Sequence, residues 1–368
     1  MINVLLPIFF GIVILYYFQG NVRSAEDIGL GEETSAYYPM AQGYPIHIAK
    51  LQQVDSVKQG WENRGEKLLY LWQGNSQLHG VNQLKPGQVN CVSFLFDSLK
   101  SRNEEVIGAS YPNGNMQEFL VSLIYFANRF PLKAVIQPLF YDDMREDGIR
   151  DDINTFQVVK SIKADSVFFK DIPNINVLKP IVSTSGDSKT NDFKALDETA
   201  QDAAERYLDD KLNRHWSVWR KRPDVRGSLF DDIYKLRNMV LGIKATTVRK
   251  MIPGRYTDNY NSILDMLSIC EKRGIPLIIY IPPIRNDVHP PYDLGQYAQF
   301  KEQVKADCEK HHALFLNLEA LVPAKYWGTK EGTSFGVSEE IDFMHFREAG
   351  HRLIADTIFQ TLTKIFPQ

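Results

Sequence analysis

Short apolar runs alternate with turn residues and with longer amphipathic stretches from about residue 65 to the end of the chain. The runs have the length of buried strands, and the stretches between them repeat apolar residues at helical spacing. The predicted strands cover residues 68–72, 105–110, 133–140, 276–282 and 313–318, and the predicted helices include 89–101, 115–128 and 347–366. This alternation predicts a three-layer α/β/α fold with a parallel sheet of five strands. Ligands of such sheets bind beyond the carboxyl ends of the strands.

The alternation stops between about residues 150 and 250, where two long charged stretches are typical of helices. We therefore expect a helical insertion between the third and fourth strands. Within it, residues 214–222 interleave basic and aromatic side chains. This pattern fits docking to a membrane surface or a partner, and it also fits a solvated helix face anchored by tryptophan.

The chain begins with an uncharged apolar stretch from Ile2 to Phe18. It lies at the short end of the roughly 17–25 residues that span a bilayer, and the core of a signal peptide is the rival interpretation. Both interpretations place the rest of the chain outside the cytoplasmic membrane, periplasmic or at the cell surface. We expect a membrane segment over residues 1–20, a linker and lead-in helix over 21–60, and an α/β domain over 61–368.

Composition narrows the classes of function. The sequence holds 42 Lys and Arg against 45 Asp and Glu, a net charge of −3, so we expect no nucleic-acid partner. Its cysteines, Cys91, Cys270 and Cys308, lie in apolar stretches without metal-ligand spacing, which indicates core residues. The pair His311-His312 matches no common metal site, and we expect neither a metal nor a cofactor.

A serine follows the first predicted strand. Gly74 permits a sharp turn, and Ser76 then stands at the carboxyl edge of the sheet. A nucleophilic serine needs this placement, because a tight strand-to-helix turn exposes its hydroxyl group and leaves backbone N–H groups free to bind an oxyanion. A serine before a helix is also a common N-cap, so the position alone does not decide between the two roles.

Asp342 and His345 stand three residues apart before the last helix, at a predicted loop-to-helix junction. Imidazole has the pKa required to remove the proton of a serine hydroxyl. A carboxylate on the other ring nitrogen fixes the tautomer and stabilises the imidazolium ion. A capping aspartate beside an incidental histidine is the alternative. His79, close to Ser76, is a rival base without a carboxylate at obvious spacing.

Turn residues also crowd the end of the second predicted strand, where Asn113 and Gly114 precede a helix. A glycine at this edge is suited to offer an unhindered backbone N–H to a ligand. An ordinary strand-to-helix turn would have the same composition.

The order and spacing of these segments resemble the SGNH (GDSL-type) hydrolase superfamily over residues 65–145 and 255–366. The segments similar to its first, second and fifth sequence blocks are Gly74-Asn75-Ser76, Asn113-Gly114 and Asp342-x-x-His345 with Gly350 after it. The resemblance implies a catalytic triad of Ser76, His345 and Asp342. It also implies an oxyanion hole formed by Ser76 and Gly114, with Asn113 beside them.

The third block of the family normally supplies an asparagine to the oxyanion hole, and here Asp142 occupies that position. An ionised carboxylate donates no hydrogen bond and repels an oxyanion. Three alternatives remain: Asp142 is protonated, Asn113 or Asn115 takes over, or Asp142 pairs with Arg145 and serves substrate binding.

Two further positions are candidates for substrate contacts. Gln77 directly follows the candidate nucleophile, and Arg285 follows the fourth predicted strand, where it would grip an anionic group or lie in a solvated loop.

The N-terminal segment and the helical insertion resemble a narrower group, the membrane-anchored SGNH proteins of cell-envelope modification. These include the DltD-like family and the alginate acetylation proteins. That resemblance implies an esterase or O-acyltransferase acting on an envelope polysaccharide, glycan or lipid, with a membrane-bound acyltransferase as partner. A non-enzymatic glycan-binding or assembly protein with a degenerate site is the alternative.

Overall fold

The computed structural model describes residues 39–80, 83–149, 153, 211, 235–334 and 336–367. The expected membrane segment and most of the expected insertion, including residues 214–222, lie outside this part of the chain. Among the residues that are described, no helix has the length and apolar character that a membrane crossing requires.

A parallel sheet of six strands forms the centre of the fold. In chain order its strands are β3 (His47–Ile48), β4 (Leu68–Gly74), β5 (Glu104–Ser110), β6 (Leu132–Pro138), β7 (Leu277–Ile281) and β8 (Leu314–Asn317). Their order across the sheet is β3-β5-β4-β6-β7-β8, and each pairing is parallel. All five predicted strands are present, in the flavodoxin-like order that places the second outside the first.

The prediction of five strands was wrong, because β3 adds a sixth at the edge. His47 pairs with Gly108 and Ile48 with Ala109, in a stretch that we expected to be linker. Gly108 makes this close approach possible: a Cβ there would lie 2.8 Å from Cδ2 of His47. A strand of two residues carries no alternation of apolar and polar positions, so sequence periodicity does not reveal it.

Helices cover both faces of the sheet. In chain order they are α1 (Val54–Asn63), α2 (Ser76–His79), α3 (Cys91–Leu99), α4 (Met116–Ala127), α5 (Pro253–Arg273), α6 (Leu294–Lys310) and α7 (Glu348–Ile365). Helices α3 and α7 pack together on one face, and α4 and α5 pack together on the other, as right-handed crossovers require. The hydroxyl group of Tyr260 on α5 donates to Asp307 on α6 at 2.6 Å, which joins α6 to the face covered by α4 and α5.

The core between the layers is aromatic and aliphatic. Trp72 on β4 and Tyr280 on β7 are both fully buried, and the indole N–H donates to the phenol oxygen at 3.1 Å across the intervening strand. This bond satisfies two polar groups that would otherwise be buried without partners. The three cysteines are free and buried, which confirms their prediction as core residues.

In the described part of the chain, two short antiparallel pairs lie outside the main sheet. One joins β1 (Met40–Ala41) to β2 (Tyr44–Pro45), and the other joins β9 (Trp327–Glu331) to β10 (Glu339–Phe346). Asp342 and His345 therefore lie on a strand rather than at a loop-to-helix junction. Helix α7 begins two residues after β10, so the prediction differed only in the local conformation.

The chain divides into two compact units, and the larger one contains the main sheet. The smaller unit contains the described residues 211, 235–245, 330–334 and 336–340. Within it, the Asn238 side chain donates to the carbonyl of Thr333 at 2.9 Å, and the Ser334 hydroxyl donates to the carbonyl of Ile243 at 3.2 Å.

The close approach at Gly108 predicts the effect of a single methyl group. Gly108→Ala should lower the free energy of unfolding by about 1–3 kcal/mol, because the new Cβ overlaps the His47 ring and Val92. Urea denaturation measures this change. In the control Gly254→Ala, the methyl group has no atom within 4 Å, and stability should stay the same or rise slightly. Equal midpoints for Gly108→Ala and the wild type would contradict the role assigned to this glycine.

Candidate active site

Ser76 is the first residue of α2, directly beyond the carboxyl end of β4. The Asn75 side chain caps this helix by accepting the N–H of Gln77 at 3.0 Å. Gly80 ends it in the left-handed conformation, with φ of 69°. Asn75, not Ser76, is thus the N-cap, so the Ser76 hydroxyl is not used for capping.

Ser76, His345 and Asp342 form one hydrogen-bonded line. The Ser76 Oγ lies 2.9 Å from Nε2 of His345, and Nδ1 of the same ring lies 2.9 Å from Oδ2 of Asp342. An ionised carboxylate accepts only, so Nδ1 carries the proton and Nε2 is free to accept the serine proton. The three side chains that the sequence predicted as a triad are therefore in contact, in the geometry that nucleophile activation requires.

Asp342 remains charged although it is 1% exposed. Burial by itself raises the pKa of this carboxyl group. The charge and hydrogen bond of His345, with the backbone N–H groups of Met344 and His345, outweigh burial and lower the pKa to about 2. A buried carboxylate held this way orients the imidazole ring and stabilises its protonated form.

Gln77 connects the loops around the triad rather than the substrate cleft. Its side chain is buried, and its amide nitrogen donates to the carbonyl of Pro283 at 3.0 Å and to that of Met344 at 2.5 Å. Both amide N–H groups are therefore in use. The structure places this residue as a link between α2, the loop after β7 and strand β10.

A second buried link joins the nucleophile turn to the loop after β6. The Asn75 amide donates to Oδ1 of Asp143 at 3.2 Å, and Asp143 is 4% exposed. Burial raises the pKa of Asp143 well above its usual value, and the hydrogen bond from Asn75 opposes that shift. Nothing in the sequence indicated this contact.

The carboxylate of Asp142 accepts from two residues that the sequence did not indicate as its partners. Arg249 forms an ion pair with its Oδ2, and the Tyr292 hydroxyl donates to the same oxygen at 3.1 Å. Arg145 lies 3.8 Å from Oδ1. The alternative in which Asp142 pairs with Arg145 therefore describes only the weaker of its two ion pairs. Asp142 joins the loop after β6 to chain beyond the insertion.

The turn after β5 differs from the expected oxyanion geometry at Gly114. Its N–H donates to the carbonyl of Tyr111 at 2.8 Å, closing the turn, so this donor is not directed at a ligand. Asn113 is exposed in the left-handed region, with φ of 53°, and its side chain has no hydrogen bond to the described residues. Its amide is therefore a donor without a partner in the described part of the chain.

Arg285 is engaged within its own loop. Its Nε and Nη2 form a two-point ion pair with Asp287 at 2.7 and 3.0 Å, and Nη1 donates to the carbonyl of Gly328 at 2.7 Å. The guanidinium group is thus paired with a carboxylate, which does not favour the predicted grip on an anionic substrate.

His79, the rival base, is 1% exposed, and its Nε2 donates to the carbonyl of Ser110 at 2.9 Å. Its ring stacks on that of His47 with centroids 4.3 Å apart. This ring is packed inside the fold, so a role as general base is wrong.

His47 also contacts a serine, in an arrangement that cannot activate it. Ser110 Oγ lies 2.6 Å from Nε2 of His47, and the Asn90 amide nitrogen donates to Nδ1 at 2.9 Å. Because Nδ1 accepts, the neutral ring carries its proton on Nε2 and does not accept one from Ser110. All three side chains are 0% exposed, so this cluster supports the sheet edge.

Comparison with known proteins gives similarity in structure only. No family model matches the chain. No curated protein matches it either. Among solved structures, the chain is similar to an acetylxylan esterase from Geobacillus stearothermophilus, with 10% identity over 80% of this chain and 94% of that one and a TM-score of 0.38. It is also similar to a proposed GDSL-like lipase from Parabacteroides merdae, with 10% identity over 82% of this chain and 97% of that one and a TM-score of 0.41. A proposed acylhydrolase from Bacteroides fragilis is similar as well, with 11% identity over 83% of this chain and 96% of that one and a TM-score of 0.34. At these values the function must be argued from the site itself.

The buried histidines predict acid sensitivity. Burial lowers the pKa of His79 to about 4 and that of His351, aided by the charge of His345, to about 3. The unfolded chain therefore binds these protons first as the pH falls below about 6.5, and stability is lost from there towards pH 3. We expect the melting temperature to fall over this range.

His351→Phe isolates one part of this effect, because the ring of His351 packs on Phe346 and its nitrogens have no hydrogen-bond partner among the described residues. The variant should lose less stability than the wild type between pH 6.5 and 4, with a difference of at least about 1 kcal/mol. His289→Phe, at an exposed position, is the control. Identical acid profiles for His351→Phe and the wild type would contradict the assignment.

Proposed function

We propose that this protein is an acyl-ester enzyme that works through a covalent acyl-Ser76 intermediate. The observation that carries the proposal is the line from the Ser76 hydroxyl through His345 to the buried carboxylate of Asp342, with both contacts at 2.9 Å. No part of a stable fold requires a half-buried serine to face an oriented imidazole at the carboxyl edge of a parallel sheet. This edge is where ligands of such sheets bind.

In the first half of the reaction, Ser76 Oγ attacks the ester carbonyl carbon while Nε2 of His345 takes the hydroxyl proton. The Oγ–C bond forms, and the carbonyl oxygen becomes an oxyanion. Collapse of this intermediate breaks the ester C–O bond, and the leaving alkoxide takes the proton from Nε2. Asp342 stabilises the imidazolium ion that exists between these steps.

In the second half, water or an acceptor hydroxyl gives its proton to His345 and attacks the acyl carbon. The Ser76–acyl bond then breaks, and the proton returns to Oγ. Water yields a carboxylic acid and makes the enzyme an esterase. A sugar hydroxyl yields a new ester and makes it an O-acyltransferase.

We assign the oxyanion site to the backbone N–H of Ser76 and the side-chain amide of Asn113. The Ser76 N–H has no acceptor among the described residues, as expected for the first residue of a helix. Ser110, which ends the strand before Asn113, pairs with Gly74, so the two loops start side by side. Removing one such donor typically costs about 10²–10³ in kcat.

The N-terminal apolar stretch and the expected helical insertion support a place in the cell envelope. We propose an extracytoplasmic protein, held at the cytoplasmic membrane by residues 1–20, that modifies an envelope polysaccharide, glycan or lipid beside a membrane-bound acyltransferase. This proposal rests on the resemblance of the sequence layout to the DltD-like and alginate acetylation proteins.

A binding or assembly protein without catalysis is the second candidate. The observation in its favour is the Gly114 N–H, which is bonded to Tyr111 rather than offered to an oxyanion. In this candidate, the fold and the triad geometry persist while transition-state stabilisation is lost. Covalent labelling separates the two candidates.

A fluorophosphonate probe should label the wild-type chain and should not label Ser76→Ala. The hydroxyl of Ser76 attacks the phosphorus atom, fluoride leaves, and His345 takes the proton, so labelling reports the activated nucleophile directly. Gel fluorescence and mass spectrometry of the labelled peptide measure it. Ser101→Ala, which removes an exposed hydroxyl elsewhere, is the matched control.

His345→Ala should reduce labelling by about 10³-fold or more with little change in melting temperature. If the wild type labels no more than Ser76→Ala, the covalent mechanism is wrong and the binding function stands. Loss of folding in His345→Ala would mean that the ring is structural.

A further inference from the structure

A cavity of about 640 Å³ opens beyond the carboxyl ends of β7 and β8. Its walls come from the loop after β7 (residues 284–290), the start of α6 at Leu294, and the residues that follow β8. The volume lies within the range of about 300–1,000 Å³ typical of small-molecule sites. The triad does not contribute to its lining.

The cavity and Ser76 share one edge of the sheet. Strand β4, which leads to Ser76, is two strands from β7 and three from β8, or about 10 and 14 Å at the usual spacing between strands. The loop that lines the cavity is also bonded to the triad's surroundings. Pro283 accepts from Gln77, and the N–H of Arg285 donates to the carbonyl of Phe343 at 3.2 Å. A chain-like ligand bound in the cavity would therefore extend towards Ser76.

The charged groups of the cavity are already matched in pairs. Arg285 is bonded at two points to Asp287, and Glu319 forms an ion pair with Lys301 at 2.5 Å. A charged ligand would have to compete with one of these internal partners. An uncharged ligand leaves both pairs intact, so the electrostatics favour a neutral one.

Three other polar side chains that line the cavity keep hydrogen-bonding groups without partners among the described residues. The side chains of Asn286 and His289 are exposed and make no hydrogen bond to the described residues. Asn317 uses its Oδ1 to accept the N–H of Glu319 at 3.1 Å, which leaves its amide N–H groups for a ligand. These groups offer both donors and acceptors, as hydroxyl groups require.

Apolar surface accompanies these polar groups. Leu294 is 54% exposed at the cavity, and Val288 and Ala320 also line it. An exposed leucine beside free amides suits a ligand with a C–H face and a rim of hydroxyl groups. A sugar unit has both features.

We propose that this cavity binds uncharged sugar units and holds the glycan part of the substrate or acceptor while its ester reaches Ser76. The inference deepens the proposed function and rests on it for the link to acyl chemistry. The cavity itself is defined independently of Ser76, so binding is testable apart from catalysis.

The test uses the full-length chain carrying Ser76→Ala, so that no turnover occurs. Isothermal titration calorimetry is run with three neutral trisaccharides, xylotriose, cellotriose and chitotriose, and with trigalacturonate as the anionic comparison. Ala320→Trp is then added to fill the cavity. Ala306→Trp, an exposed position in the C-terminal half of α6, is the matched control for the added indole ring.

At least one neutral trisaccharide should bind, and Ala320→Trp should weaken its binding by about tenfold or more, while Ala306→Trp leaves it unchanged. Trigalacturonate should bind more weakly. The proposal is overturned if no neutral trisaccharide binds, if the two tryptophan variants bind equally, or if trigalacturonate binds as tightly as the best neutral sugar. Fluorophosphonate labelling of the wild type reports the acyl function separately: labelling without sugar binding rejects only the cavity, and sugar binding without labelling rejects only the acyl mechanism.

Discussion

The side-chain amide of Gln77 joins the three chain segments on which the site depends. It is buried in α2, and it donates to the carbonyl of Pro283 after β7 and to the carbonyl of Met344 on β10. These segments are 206 and 267 residues away along the chain. Because the Gln77 side chain is buried, separation of the loops would leave its amide N–H groups without acceptors at a cost in free energy, so each of the two bonds opposes separation. The distance between Ser76 and His345 is thus held by the residue next to Ser76 itself.

Hydrogen-bond direction distinguishes the two places where a histidine ring faces a serine. Asp342 and Asn90 both sit against Nδ1 of a histidine that faces a serine. Asp342 accepts from Nδ1 and so leaves Nε2 to accept a proton from Ser76, whereas Asn90 donates to Nδ1 and so forces the proton onto Nε2 of His47. The cluster of His47, Asn90 and Ser110 is closed to solvent, whereas Ser76 and His345 are half-buried. Chemical competence therefore depends on which atom donates and on access, not on residue type alone.

Much of the fold and of the candidate site was predictable from the sequence. The five main strands are apolar runs long enough to show their character, and Ser76 follows from the rule that ligands bind beyond the carboxyl ends of parallel strands. His345 lies on β10 outside the main sheet, and its prediction came from the Asp342-x-x-His345 spacing. The contact between Asp342 and His345 is local, so their spacing was sufficient to suggest it.

Other features depended on contacts between distant residues. Strand β3 is only two residues long, and its partner is a glycine that sequence periodicity does not mark. The partner of Asp142 is Arg249, 107 residues away on the far side of the insertion. Gln77 was predicted at the right loop, but the acceptors of its amide N–H groups lie 206 and 267 residues away along the chain. The N–H of Gly114 closes a local turn onto Tyr111, and the composition of the turn does not reveal that bond. A sequence pattern indicates which residues reach a site more readily than it indicates which bonds they make there.

Detection of an acyl group on Ser76 is the most direct test of the proposed covalent mechanism. The full-length chain is mixed rapidly with p-nitrophenyl acetate, quenched in acid and digested, and the peptide that carries residue 76 is weighed by mass spectrometry. Acyl transfer through Ser76 predicts an acetyl group on Ser76 in the wild type and none on this peptide in Ser76→Ala. Release of p-nitrophenol at the same rate from both proteins, with Ser76 unmodified in the wild type, would contradict it.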